Sequence, residues 1–303
     1  MILTVTPNPA VDQTIELDEA LRADVVQRST HAEFNSGGNG INVSQFLRAL
    51  GSETVATGIV GGFTGYFIEQ DLQGYDVPTD FVSVDDETRI NTTLLTPDGE
   101  YHVNQSGPAV DTEAVDDLVE TVREYDPTTI NIGGSLPPGM DAGDVDRIAG
   151  AGDWDTAVEV PGETLRVLDR DYEYCKPNRE ELIAATGMAI ESVDDCAAAA
   201  RELHDEGFAH VIASMGGDGA VMVTPTATLY APALEVDVVD TLGAGDSMLA
   251  AVLWAYEQGW DDERALRAGV AASAHLVSVT GPSVHELDPQ ATMDDVTVWS
   301  LDG

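Results

Sequence analysis

Short apolar runs and amphipathic patterns of helical period alternate along most of this 303-residue chain, and that alternation limits the fold more than any other feature. Residues 2–6 (ILTVT) read as a buried strand, stopped by Pro7 and Pro9. Residues 40–50 (GINVSQFLRAL) place Val43, Phe46, Leu47 and Leu50 on one helical face. A strand (ETVATGIVG) and a helix (TGYFIEQDLQ) follow. Asp111 can cap the helix TEAVDDLVETVREY, whose stripe is Val115, Leu118, Val119 and Val122. The series continues as TTINI, DVDRIAG, TAVEV, GETLRVLD, YEYC, REELIAAT, DDCAAAARELHDE and HVIAS. Such a series predicts an α/β fold: a mostly parallel sheet with helices on both faces, and ligands at the carboxyl ends of its strands. Two β-like segments without helices, residues 13–34 and 88–106, break the pattern. The second turns at Pro97-Asp98-Gly99, and together they predict a small sheet standing off the main one.

Charge narrows the class of ligand. The chain carries 55 acidic residues against 13 basic ones, a formal −42, and lysine occurs once, at Lys176. Because the acids are interspersed with periodic apolar residues, the pattern is a solvated acidic shell around a packed core rather than a disordered chain. Surplus acid with almost no lysine is the composition of a protein adapted to concentrated salt, where self-repulsion is screened. Nucleic acid is excluded as a partner, since no basic stripe exists. Cys175 and Cys196 show neither zinc nor redox spacing and read as free thiols. MILTVTPNPAVD has no basic leader and no apolar run is long enough to span a bilayer, so a soluble cytoplasmic protein is expected, with no membrane partner.

A chain this acidic must bind an anion through local donors, and its glycine-rich loops offer them. GAGDS opens a greasy helix. There Gly243, Ala244 and Gly245 can form an anion hole from helix N-terminal amides, and Asp246 makes sense as a base facing an alcohol that attacks phosphorus. The same pattern is also what a turn and an N-cap require. SGGNGINV (36–43) offers Asn39 and Asn42 beside exposed backbone. GGSLPPG (133–139) follows a strand and carries Ser135. CKPNREE (175–181) holds the lysine, with Asn178 and Glu181 one turn apart; Glu181 can hold a water of a Mg²⁺ shell. ASMGGDGAVMV (213–223) turns from a strand into a hairpin past Ser214, and Arg89 is a rare cation suited to phosphate. The P-loop, the protein-kinase motifs and the dinucleotide fingerprint GxGxxG are all missing, which disfavours a nicotinamide oxidoreductase.

NPAVD (8–12), GGNGINV (37–43), TRIN (88–91), GSLPPG (134–139), KPNREE (176–181), SMGGDGA (214–220) and TLGAGDSM (241–248) fall in one order along the chain. In that order and spacing the sequence resembles the ribokinase-like (PfkB-type) carbohydrate kinases over essentially its whole length. NPAVD, TRIN and GSLPPG are most similar to the branch holding 1-phosphofructokinase and tagatose-6-phosphate kinase. The resemblance implies a three-layer α/β/α core forming one domain over 1–303, with a β-sheet lid from about 10–35 and 87–107 that can pair two copies into a homodimer. It implies transfer of phosphate from ATP, with Mg²⁺, to a sugar phosphate, with fructose 1-phosphate going to fructose 1,6-bisphosphate as the first reading. Fructose 6-phosphate, tagatose 6-phosphate, a free ketose and a catalytically silent sensor are the alternatives.

By the same resemblance Asp246 corresponds to the base, and Gly243, Ala244 and Gly245 to the anion hole. Asp12 corresponds to a grip on sugar hydroxyls, Gly37, Gly38, Asn39 and Asn42 to the sugar-binding segment, Ser135 to a further substrate contact and Arg89 to a substrate-phosphate contact. Lys176, Asn178, Ser214, Gly216 and Gly219 correspond to nucleotide contacts, and Asn178 with Glu181 to the motif that organises Mg²⁺. Asp240 resembles a position that helps bind a monovalent cation, which adds K⁺ to the expected ions. Two departures stand out: Asn39 replaces a lysine of the 1-phosphofructokinase pattern, and Glu159-Val160-Pro161 replaces a usual Asp-Ser-Ser.

Overall fold

The computed structural model describes residues 1–279 and 287–302. The chain opens with β1 (Ile2–Thr6), β2 (Ala10–Glu16), β3 (His31–Gly37), α1 (Asn39–Ala49), β4 (Thr54–Gly61) and α2 (Gly62–Gly74). It continues through β5 (Val82–Val84), β6 (Arg89–Thr96), β7 (Gly99–Asn104), α3 (Thr112–Tyr125), β8 (Thr129–Gly133), α4 (Ala142–Ala149), β9 (Asp155–Glu159) and α5 (Gly162–Leu165). The last part holds β10 (Tyr172–Cys175), α6 (Arg179–Thr186), α7 (Val193–Asp205), β11 (Phe208–Ser214), β12 (Ala220–Val223), β13 (Thr228–Ala231), α8 (Ala244–Glu257), α9 (Asp262–Val277) and β14 (Trp299–Ser300).

Ten strands form one sheet in the order β14-β13-β12-β11-β10-β9-β8-β1-β4-β5. From β11 to β5 every pairing is parallel; β12, β13 and β14 add an antiparallel edge. Every residue of β1 and β4 is buried, as expected where helices cover both faces. Alternate residues feed two cores. Leu3, Val5, Ile130, Ile132 and Val158 pack toward α3, α4, α6 and α7, whereas Ile2, Ala157, Tyr174 and Ile212 pack toward α1, α8 and α9. The result is the three-layer α/β/α architecture.

Local rules explain most elements. Asp111 caps α3 by accepting from Ala114 N at 3.0 Å, and the stripe from Val115 to Val122 is buried. α8 is apolar almost all round because it is buried from Asp246 to Ala255 between α1 and α9. Two expectations need correction. Residues 17–30 are not strand: Gln27 folds the segment back, accepting from Arg22 N at 2.8 Å and donating to Ala20 O at 2.9 Å. The helix expected over GETLRVLD ends at Leu165, and beyond it Asp146 holds Asp169 N at 3.1 Å and redirects the chain.

The second sheet has the order β3-β2-β6-β7, with β2 and β6 parallel and the outer pairs antiparallel. Its register sets Arg89 beside Ala10 and Asn91 beside Asp12. No helix among the described residues is long and apolar enough to cross a membrane.

Candidate active site

Strands β1, β8, β9, β10 and β11 deliver their carboxyl ends to one edge of the main sheet. Gathered at that edge are the Asn8 turn, Gly134-Ser135, Lys176 and the strand-end residues Glu159 and Ser214. α1 and α8 begin at the same edge, and neither has a side-chain cap: their N-cap residues are Gly38 and Gly243. Two helix N-termini therefore present unpaired amides and positive dipole ends to one crevice.

Asp246 lies in the first turn of α8 and is 7 % exposed. Asn42 Nδ2 donates to its Oδ2 at 2.6 Å and Asn39 Nδ2 to its Oδ1 at 3.2 Å. Burial pushes the Asp246 carboxyl above the usual range, against the pull of Lys176 and of the Asn42 hydrogen bond. Beside it, Lys176 Nζ pairs with Glu159 Oε1 at 2.6 Å, both groups being buried. The lone lysine thus sits against the first turn of α8, because a Cβ on Gly245 would come within 2.8 Å of its Nζ. Only glycine fits there without displacing the ammonium. Burial pushes the Glu159 carboxyl above the usual range, opposed first by Lys176. Ala244 N makes a 3.3 Å bond to Thr241 O, which leaves the later amides of the turn better placed to meet an anion.

A second cluster centres on Asn8. Its Nδ2 donates to Ser106 O at 3.0 Å and to Ser135 Oγ at 3.2 Å, and Arg89 Nε donates to Asn8 O at 3.2 Å. Asn91 holds Asp12 Oδ1 at 2.9 Å, and a Cβ on Gly37 would strike the Asp12 carboxylate, so glycine is required. Desolvation raises Asp12, while Asn91 and then Arg89 lower it. Gly133 and Gly134 pack against Asn39, so this cluster joins the Asp246 cluster without a break.

On the far side of α8 an apolar cleft of roughly 710 Å³ opens. Gly216, Gly217 and Gly219 line it together with Val236, Val238, Ala244, Met248, Val270 and Ala274. Ser214 N bonds Pro177 O at 3.0 Å, tying the hairpin to the Lys176 loop. Asn178 and Glu181 form a reciprocal capping box at the start of α6, each side chain accepting the other's amide at 2.9 Å. The box occupies one oxygen of Glu181. No group of three or more metal-ligating side chains exists among the described residues. The donor set suits a cation held by one carboxylate, waters and phosphate oxygens, the usual way of holding Mg²⁺. Asp240 Oδ1 accepts from Leu242 N at 3.0 Å in the loop before α8.

The sequence reading did not single out Asn8, Asn91 or Glu159 as site residues. Asn8 and Asn91 lay inside the quoted NPAVD and TRIN motifs, which was the available signal. Glu159 was visible only as a departure.

A three-layer α/β/α core with this crevice at the carboxyl edge of its sheet defines the class, an α/β sugar phosphotransferase. Within that class the chain belongs to the pfkB family of carbohydrate kinases, whose model matches residues 5–288. It is 51 % identical to a 1-phosphofructokinase of Haloferax volcanii over 292 residues, 96 % of each chain. It is 34 % identical to a D-tagatose-1-phosphate kinase of Bacillus licheniformis over 307 residues, 98 % of this chain and 99 % of that one. The fold is similar to Escherichia coli phosphofructokinase-2 in complex with potassium, with a TM-score of 0.88 and 27 % identity over 96 % of this chain and 97 % of that one. Members of the family draw the phosphoryl group from ATP.

Proposed function

We propose that the protein phosphorylates fructose 1-phosphate to fructose 1,6-bisphosphate. The reaction is carried by Asp246, held by two amides at an uncapped helix N-terminus. The 51 % identity to a 1-phosphofructokinase over nearly both chains supports the choice of acceptor. Asp246 takes the proton of the sugar hydroxyl as that oxygen attacks the γ-phosphorus, and the bond to the β–γ bridging oxygen breaks to release ADP. The amides at Gly243 and Gly245, backed by Lys176, stabilise the charge on the migrating group, while the Ala244 amide is taken by Thr241 O. Asp12 and Ser135 orient sugar hydroxyls, with Gly37, Gly38 and Asn42 lining the sugar. Asn178, Ser214, Gly216 and Gly219 cradle the nucleotide over the apolar cleft. Glu181, with Asn178, would hold Mg²⁺ through water, and that ion would neutralise phosphate charge. Asp240 is the residue placed to favour K⁺.

The test is product analysis with ATP, Mg²⁺ and a panel of sugars in molar salt: fructose 1-phosphate, fructose 6-phosphate, tagatose 1- and 6-phosphates, and free ketoses. Fructose 1-phosphate should give the highest kcat/KM. A higher value for another acceptor would reassign the substrate, and no turnover at all would leave a binding protein.

Arg89 is the cation we assign to the phosphate already on the sugar. It is half-buried, and burial lowers its pKa against the pull of Asp12, so an anionic partner offsets the desolvation. Arg89→Ala should raise the KM for phosphorylated sugars by about 10- to 100-fold, the worth of a charge-assisted hydrogen bond. The KM for a free ketose should barely change, and an equal rise for both would remove the assignment.

The four-stranded sheet acts as a lid over the sugar and as a dimer surface. Phe34, Tyr101 and Val103 stand exposed on its strands, apolar area that a second copy would cover. Light scattering in molar salt should give a dimer, and Val103→Asp should dissociate it; a monomer in both would end this reading.

A further inference from the structure

Asn8 sits where the small sheet joins the core, and the chain around it holds it fast. It is 2 % exposed and lies between Pro7 and Pro9 in the turn from β1 to β2. The proline that follows it disfavours the helical region for its backbone, and the one before has a fixed φ. Its amide can face only one way. Ser106 O can only accept, so the amide nitrogen must point there, at 3.0 Å, and the same nitrogen donates to Ser135 Oγ at 3.2 Å. The amide oxygen is left against Gly107, where a Cβ would come within 2.1 Å of it.

Two of its bonds fix groups assigned above to the sugar. Ser135 Oγ accepts from Asn8, so its own proton is free to be donated, and among the described residues that proton has no acceptor. Arg89 uses Nε on Asn8 O at 3.2 Å and Nη1 on Gln105 O at 3.5 Å, which leaves Nη2 unpaired among the described residues. The carbonyl and the amide of one residue therefore orient two donors, a guanidinium and a hydroxyl. The donors come from different parts of the fold: Arg89 opens β6 of the small sheet, and Ser135 follows β8 of the main one. Ser106, just after β7, is the third segment that Asn8 ties in.

We propose that Asn8 is a positioning residue for the acceptor: it holds the Ser135 hydroxyl and the Arg89 guanidinium in register as donors to the phosphorylated sugar, and acts only through them. This role rests on the reading of Arg89 and Ser135 as acceptor contacts. Both donors grip parts of the sugar phosphate that do not react, so they hold it equally in the ground state and in the transition state. Loss of their alignment therefore weakens binding uniformly, which raises KM and spares kcat. The three bonds of Asn8 reach none of the residues assigned to ATP, so the KM for ATP should not move.

The experiment is steady-state kinetics on the full chain with ATP, Mg²⁺ and fructose 1-phosphate, or whichever phosphorylated acceptor the panel selects, in molar KCl. Asn8→Ala should raise the acceptor KM about 5- to 30-fold, as expected for one or two lost hydrogen bonds. The kcat and the KM for ATP should both stay within about threefold of wild type. Asn8→Asp keeps the shape, covers the case in which alanine loosens the turn, and cannot donate. Ser135 would then turn its proton toward the new carboxylate, so the acceptor KM should rise further. A double-mutant cycle separates positioning from packing: in a Ser135→Ala background, Asn8→Ala should raise the acceptor KM by a smaller factor, because one of the two donors it orients is gone. An unchanged acceptor KM in both Asn8 variants would overturn the proposal. So would equal factors in the two backgrounds, or a fall in kcat with the acceptor KM retained. A lowered melting temperature with an unmoved acceptor KM, or failure of both variants to fold, would mark a structural role and also overturn it. Arg89→Ala and Ser135→Ala separate the two readings: if neither raises the acceptor KM, the acceptor contacts themselves fall, whereas a raised KM in both beside wild-type-like Asn8 variants removes only this inference.

Discussion

Asp246→Asn should give a folded, ATP-binding protein that turns over roughly 10²- to 10⁴-fold more slowly, the usual worth of a general base. The fold should survive for two reasons. Asparagine has the same shape, and either facing amide can rotate to present its oxygen to the new NH₂, so the contacts with Asn39 and Asn42 can be re-formed. The buried charges also compensate. Asp246 is one of the groups that raise Glu159, so its loss lets Glu159 ionise more fully beside Lys176, and that pair remains neutral as a unit. ATP affinity should hold or improve, since a carboxylate that repels phosphate is gone from the mouth of α8. Turnover by a coupled assay and ATP binding by calorimetry decide the matter. Near-wild-type turnover would remove the base, and a parallel collapse of ATP binding would show that Asp246 serves the architecture of the site instead.

The same carboxylate shows where sequence reading works and where it stops. The alternation of strand and helix patterns carries the parallel sheet because each element buries one stripe, as Val115 to Val122 do in α3. The glycine loops were legible as a set because each follows a strand, which in such a sheet means a common edge. Nothing local marks the bond from Asn39 to Asp246, 207 residues away, nor the pairing of Glu159 with Lys176. Such contacts are made by the fold and leave no period or spacing behind. The sequence did show that one lysine had survived in a chain otherwise stripped of it. It could not show that the ammonium faces a buried glutamate behind Gly245. The segment 17–30 failed for a different reason. Its apolar residues do not alternate, and a side chain, Gln27, rather than a strand ladder satisfies its backbone.

Dilution into low salt should unfold the protein. Of its 55 acidic residues only Glu159 and Asp246 are buried among the described residues, so the formal −42 resides almost wholly on the surface. A chain of this length folds to a sphere of about 25 Å radius. Spread over that sphere, the charge repels itself by on the order of 40 kcal/mol at 0.1 M salt and about 15 kcal/mol at 1 M, as the Debye length falls from about 10 Å to 3 Å. The unfolded chain feels less of this because it is several times larger, so lowering the salt penalises the folded state more. A fraction of that difference matches a typical folding stability of about 5–15 kcal/mol. Substrate capture should follow the same variable, since ATP and a sugar phosphate must approach a negative surface and only in concentrated salt do the local amides, Arg89 and Lys176 decide the encounter. Far-UV circular dichroism between 0.1 and 3 M KCl should show the melting temperature rising by tens of degrees with salt, with activity returning alongside it. A melting temperature that stays within a few degrees across that range would show that the acidic shell does not control the fold.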